Sequence, residues 1–188
     1  MIRLTPDLPD RDYLMPGSTS PVRLARLHVR PDGGSTSLVL FPPGWTRPAR
    51  GHYLAGEEFV VLDGTLHVSG ITYRGGDYGW IPAGSLRFDS ESPAGALAVA
   101  LFDGPPAWVG SDGDAVRGAA VRASLQTMTI PDGGLTIRPG TVLTTGAGTP
   151  FAPCEALTTG DRGWNLIRKG EPLPQGRVLL WGLGAAYR

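Results

Sequence analysis

The sequence predicts an all-β fold, a sandwich or barrel built from short strands. Three observations point there. The 188 residues include 28 glycines and 18 prolines, yet 41% are hydrophobic; that combination suits many tight turns between buried strands rather than disorder. Apolar and polar residues alternate in short stretches, with turn residues recurring every eight to twelve positions or so. No segment through residue 106 carries the three-to-four-residue periodicity of a long amphipathic helix.

Residues 1–21 carry five charges and four prolines (Pro6, Pro9, Pro16, Pro21). They read as an extended arm, since proline removes a helix donor and fixes φ. Lying across a partner subunit and fraying are both open for it. Val22 to Val29 alternates, with Val22 and Leu24 continued by Arg26 or His28 on one face and Ala25, Leu27 and Val29 on the other. Pro31-Asp32-Gly33-Gly34 turns the chain into a second strand, Ser37 to Phe41, and the pair reads as a hairpin. Phe59 to Leu62 is a short buried strand. Asp63-Gly64 carries a hairpin signal, with Thr65 to Val68 as the returning strand. Gly75-Gly76 turns again, Tyr78 to Ile81 and Leu86 to Asp89 are further strands, and Ala96 to Phe102 is an apolar strand closed by Asp103-Gly104-Pro105-Pro106.

Residues 107–118 read as a polar, Gly-rich linker. Beyond it, Pro131-Asp132-Gly133-Gly134 repeats the motif at 31–34, and Gly160-Asp161-Arg162-Gly163-Trp164 resembles Gly76-Asp77-Tyr78-Gly79-Trp80. Two readings of residues 119–188 stay open. They are a reduced second copy of the first domain that lost a hairpin, or strands that extend its sheets, with Trp181 packed against them.

Seventeen basic and seventeen acidic side chains cancel, so no global field recruits nucleic acid or an anionic membrane. Cys154 is the one cysteine, which excludes an internal disulfide framework and carries no paired-His signature of a nucleophile. The N-terminus lacks the apolar core of a signal peptide, and no run of about 18 apolar residues occurs. A soluble, cytoplasmic protein is expected.

Two linked blocks organise the chain. Gly44, Arg50, His52, Glu57 and Gly64 form the first; Gly76, Pro82, Gly84 and Arg87 form the second. Five residues separate Gly44 from Arg50, four separate His52 from Glu57, six separate Glu57 from Gly64, and five separate Gly76 from Pro82. These blocks resemble the two motifs of the cupin superfamily: Gly, five residues, His-x-His, three or four residues, Glu, six residues, Gly; then Gly, five residues, Pro-x-Gly, two residues, His. Glu57-Glu58-Phe-Val-Val-Leu-Asp-Gly64 is most similar to the ChrR-like cupin branch. The resemblance implies a cupin jelly roll over residues 22–106 and a homodimer formed through outer strand faces, where Val60 and Leu62 would suit. The anti-sigma activity of that branch is not carried over.

In cupins these positions hold a divalent transition metal through imidazoles and a carboxylate. Here Arg50 and Arg87 stand at the first and last His, leaving His52 and Glu57 of four ligands. A guanidinium offers no lone pair. At about 4 Å and an effective dielectric near 20, each cation pair repels by on the order of 4 kcal/mol. An alternative register, with three residues before Glu57, puts Gly51 and Tyr53 at the His-x-His positions and serves a metal no better.

An electropositive, metal-free barrel is therefore expected. Arg50 and Arg87 would clamp an anionic or oxygen-rich small molecule. His52, Glu57 and Tyr53 would serve as acid–base groups, and Trp45 and Trp80 as an apolar wall. Arg47 reads as a surface residue near the mouth. Glu58 reads as a solvated or interface carboxylate, and His67 as a surface or subunit contact. The competing reading of the arginines is that they pair with Glu57, Glu58 or Asp89 and only fill the barrel. Three functions remain: a small-molecule binder or a metal-independent lyase, isomerase or cyclase; a metal-dependent oxidoreductase keeping His52 and Glu57 as ligands; and a non-catalytic interaction or structural protein.

Overall fold

The computed structural model describes residues 1–110, 115 and 120–182, and all regular structure among these residues is β-strand. The chain divides into two units, residues 6–126 and residues 1–5 together with 127–188. The linker expected at 107–118 lies in large part outside the described residues.

The strands in chain order begin with β1 (Ile2–Arg3), which belongs to the second unit. The first unit contains β2 (Arg11–Tyr13), β3 (Val22–Val29), β4 (Ser35–Phe41), β5 (Trp45–Arg47), β6 (His52–Tyr53), β7 (Glu57–Val68), β8 (Ile71–Arg74), β9 (Asp77–Ile81), β10 (Ser90–Ser92), β11 (Ala96–Phe102), β12 (Trp108–Val109) and β13 (Val121–Ser124). Its main antiparallel sheet runs β13-β9-β7-β11-β4-β3-β2. The distal half of β7 leaves that sheet to pair with β8 and β10, and β10 pairs β5. This second set of strands faces the first, which makes a double-sheet jelly roll closed around one core. Val22, Leu24, Val39, Phe41, Trp45, Phe59, Leu66, Val68 and Tyr73 belong to that core. Full burial of each aliphatic or aromatic side chain contributes about 1.5–3 kcal/mol.

Asp63-Gly64 is not the hairpin turn that the dipeptide suggests. β7 runs straight through it, with a bulge where Leu97 and Ala98 of β11 pass it. Glycine is needed for close approach: a Cβ on Gly64 would lie 2.1 Å from the Gly95 carbonyl oxygen, and its φ is +74°. The hairpin turn lies five residues on, at Ser69-Gly70, where both φ angles are positive (52° and 80°). This suits a right-twisted two-residue hairpin. The strand expected at Leu86–Asp89 is replaced by an isolated Gly51–Arg87 bridge and by β10.

The arm at residues 1–21 is tied to its own chain. Ile2–Arg3 pairs Gly163 and Trp164, Arg11–Tyr13 pairs β3, and the Thr19 amide donates to the Thr46 carbonyl (3.0 Å). The first unit also extends past residue 106, because β13 pairs β9. Val60 and Leu62, expected on a bare outer face for a second subunit, are 1% and 8% exposed.

The second unit adds β14 (Leu135–Arg138), β15 (Thr141–Thr144), β16 (Cys154–Thr158), β17 (Gly163–Ile167) and β18 (Val178–Trp181) in the sheet order β1-β17-β16-β18-β15-β14. The run β17-β16-β18-β15-β14 has the same connectivity as β9-β7-β11-β4-β3 of the first sheet. The turn at 159–162 stands where the first unit inserts the distal half of β7 and β8. Gly160–Trp164 and Gly76–Trp80 thus both lead into corresponding strands, β17 and β9. Pro131–Gly134 does not match Pro31–Gly34 in this way: it precedes β14, and the turn joining β14 to β15 is Pro139-Gly140.

Candidate functional site

The jelly roll encloses a cavity of about 80 Å³, room for several waters or a small ligand. Its existence follows from side-chain size. Along β11 the inward positions are Ala98 and Ala100, and Ser37 of β4 lies opposite Ala100. Alternation puts their larger neighbours Leu97, Val99 and Leu101 on the other face. The wall under the opposing strands is therefore hollow rather than filled.

Three arginines line this space; Arg26 is exposed, whereas Arg47 and Arg87 are almost fully buried, 4% and 3% exposed. Arg47 follows Trp45 on β5 by two residues, so both face inward, and it lies opposite Ser90 in the β5–β10 ladder. Its Nη1 donates to the Tyr53 hydroxyl (3.3 Å) and its Nη2 to Ser90 Oγ (3.4 Å), and its guanidinium lies 4.7 Å from the Trp108 ring centre. Arg87 is fixed by two backbone hydrogen bonds with Gly51, 2.7 and 3.2 Å. Its Nη1 forms an ion pair with Glu57, and its guanidinium lies 4.8 Å from the Tyr53 ring centre. Gly51 must be glycine here, since a Cβ would meet the Val109 carbonyl oxygen at 2.3 Å and the Trp108 ring at 2.6 Å.

Among the described residues, three guanidinium nitrogens are buried without a protein acceptor: Arg47 Nε, Arg87 Nε and Arg87 Nη2. Leaving a buried donor unsatisfied costs about 1–3 kcal/mol, more when it is charged. Among the described residues, the two buried guanidiniums against Glu57 leave one net positive charge in the cavity interior, and the exposed Arg26 adds a third guanidinium at its edge. Burial lowers the pKa of Arg47, and the nearby Arg87 charge acts in the same direction. Burial raises the pKa of Tyr53, which keeps its hydroxyl neutral and able to donate.

Of the sequence-predicted residues, the fold brings Trp45, Tyr53, Glu57 and Arg87 together around the cavity. Arg50 is not among them. It is exposed, with its guanidinium 5.2 Å from the Phe88 ring centre. His52 is buried but does not line the cavity, because Tyr53 beside it on β6 faces inward; its Nδ1 has no hydrogen-bond partner. Trp80 also misses the cavity. Gly79 is the inward residue of β9, and a Cβ there would lie 2.3 Å from Phe59 Cζ, so Trp80 takes the other face. The inward set thus follows the second register, with Tyr53, Glu57 and Arg87 lining the cavity and Gly51 beside Arg87 in the backbone bridge. Arg47 was missed as a surface residue; its two-residue spacing from the inward Trp45 was the available signal. Glu58 takes the face opposite Glu57 but is buried and accepts a hydrogen bond from Tyr78 (2.7 Å). His67 is half-buried beside Thr72 Oγ1 (3.1 Å). Cys154 is buried in the second unit, and burial pushes its thiol up to about 11.

A divalent metal does not fit this donor set. Among the described residues the cavity lining contains one carboxylate, no His and no Cys, and that carboxylate is already paired with Arg87. Among the described residues no three or more His, Cys, Asp or Glu come together as a metal-holding group. Among the same residues no helix is long and apolar enough to cross a membrane.

In sequence, residues 12–105 match the family described as the ChrR cupin-like domain. None of the curated proteins matches the chain. Among solved structures, a dioxygenase candidate from Nostoc punctiforme is similar over 90% of this chain and 75% of its own, at 15% identity and TM-score 0.67. Protein Ylba from E. coli is similar over 96% of this chain and 85% of its own, at 16% identity and TM-score 0.51. An acetylacetone dioxygenase candidate from Methylibium petroleiphilum is similar over 65% and 89%, at 22% identity and TM-score 0.50. At these identities the likeness is one of fold.

Proposed function

The chain belongs to the ChrR cupin-like domain family, and from that premise we propose that its barrel binds an anionic or oxygen-rich small molecule without a metal. The observation that carries this reading is the trio of buried guanidinium nitrogens facing a cavity with no acceptor of their own. Two cations are held there at an energetic cost that a purely structural barrel would avoid by using apolar side chains of similar volume. A bound oxyanion supplies the missing acceptors, in the planar geometry that guanidinium favours. The clamp is Arg47 with Arg87, not Arg50.

Within reach of such a ligand stand a neutral phenol, Tyr53, and a carboxylate, Glu57. This is an acid–base pair of the kind used by lyases, isomerases and cyclases that need no metal. Trp45 and the apolar core residues provide the wall against which the rest of the molecule packs.

The test is a thermal-shift screen of organic and inorganic oxyanions against the wild type and Arg47→Met. A ligand at a hundred times its dissociation constant adds about 2.7 kcal/mol. Stabilisation of the wild type that is lost in the variant supports the reading. Equal stabilisation of both proteins counts against the clamp.

We also propose that residues 127–188 are a reduced second copy of the jelly roll, a reading supported by the shared strand connectivity. Related chains carrying a full hairpin between the equivalents of β16 and β17 would support it. Relatives with a different strand order there would reject it.

A further inference from the structure

We infer that the molecule held in the barrel is a monocarboxylate with an apolar body, its head between Arg47 and Arg87 and its body along the β3–β4–β11 wall. This rests on the anion-binding reading above and narrows it to a chemical class.

The ladders sort the barrel interior into layers. At one level Phe102 of β11 lies opposite Glu57 of β7 and Ser35 of β4. The Tyr53 ring packs on Phe102 with centroids 4.9 Å apart, so Tyr53 and its Arg47 and Arg87 neighbours belong to this level. The next inward level is Ala100 with Ser37 and Phe59, and its small residues leave it hollow. The level beyond is Ala98 with Val39, and Val39 lies opposite Leu24 of β3. Leu66 and Val68 line the cavity from the other sheet. Along β11 the step from Phe102 to Ala98 is four residues, about 13 Å at the usual strand rise. The cavity is therefore polar at one level and apolar two levels away.

Charge and donor count select the head. Among the described residues the charged groups of the lining are Arg26, Arg47, Arg87 and Glu57. Arg26 is exposed to solvent, so the interior groups Arg47, Arg87 and Glu57 sum to one net positive charge, which one negative charge balances. Three open guanidinium nitrogens, Arg47 Nε, Arg87 Nε and Arg87 Nη2, match the lone pairs of one planar carboxylate. Among the described residues no buried cation lines the apolar levels, so a second carboxylate on the body would be buried there without a partner. A sugar or polyol fares no better, because its hydroxyls would face Leu24, Val39, Leu66 and Val68.

Calorimetric titration with hexanoate, acetate, hexanamide and adipate tests this. Hexanoate should bind most tightly, with acetate, hexanamide and adipate each weaker by about tenfold or more. Arg47→Met should weaken hexanoate by on the order of 30-fold or more. Ala98→Leu, which fills the apolar level, should weaken hexanoate and leave acetate unchanged. If hexanamide matches hexanoate, the barrel binds small molecules but not by a carboxylate head, and the inference is overturned. If acetate or adipate matches hexanoate, anion binding stands and the apolar body is wrong. Binding of oxyanions in the broader screen, with none of these four probes bound, overturns the carboxylate class and leaves the anion reading in place. Silence in both experiments removes both.

Discussion

Arg87 and Glu57, thirty residues apart in the chain, form an ion pair inside the barrel. Arg87 occupies the one carboxylate that lines the cavity among the described residues. Its Nε and Nη2 remain without acceptors.

Removing one member of this pair strands the other. Arg87→Met should destabilise the protein by about 3 kcal/mol, because it leaves a largely buried carboxylate uncompensated. Adding Glu57→Gln should recover most of that loss. Urea unfolding of the wild type, both single variants and the double variant gives the coupling. Additive losses would show that the pair is not energetically linked.

Arg47 has no carboxylate partner among the interactions that hold it, only two long hydrogen bonds and two ring contacts. Arg47→Met should therefore leave the ligand-free protein as stable as the wild type, or more stable by on the order of 1 kcal/mol. A loss above about 2 kcal/mol on chemical denaturation would make Arg47 a structural residue.

Metal binding can be installed in one register and not in the other. Arg50→His with Arg87→His completes the sequence motif around the native His52 and Glu57, yet should bind no metal, since Arg50 is exposed and His52 does not line the cavity. Tyr53→His with Arg87→His places two imidazoles beside Glu57 and should take up Co(II) or Zn(II). Visible absorption during Co(II) titration distinguishes them; the reverse order would refute the inward set.

Alkaline pH should destabilise the fold. Burial raises Cys154 from 9.0 to about 11 and Tyr73 from 10.0 to about 12. Between those values the unfolded chain has released protons that the folded chain retains, so stability falls as pH rises. The contribution is intact below about pH 9 and is lost progressively between about 9 and 12. Denaturation midpoints across that range check it, as does slow reaction of native Cys154 with a thiol reagent at pH 8, relative to the unfolded chain. A flat profile through pH 11 would contradict it.

Much of the framework could be read from residues alone. Ala96–Phe102 is a strand with the expected bounds, and Gly76 turns the chain into β9. Two local readings failed for identifiable reasons. Asp63-Gly64 has the composition of a turn, but its glycine serves the close passage of Gly95. Arg47 has the composition of a surface residue, but it shares the face of Trp45 on a strand whose partner, β10, begins more than forty positions along the chain.

The amino-acid order determined that this chain forms a jelly roll and that positive charge lies near its centre. The three-dimensional arrangement decided which arginines carry that charge. Alternation along a strand fixes that neighbours face opposite ways, but it leaves open which of them faces in. That choice is set by pairing with distant strands: Gly51 with Arg87, Trp45 with Ser92 and Glu57 with Phe102. Shifting such a register by one residue exchanges inside for outside, and it is this that separates Arg47 and Tyr53 from Arg50 and His52.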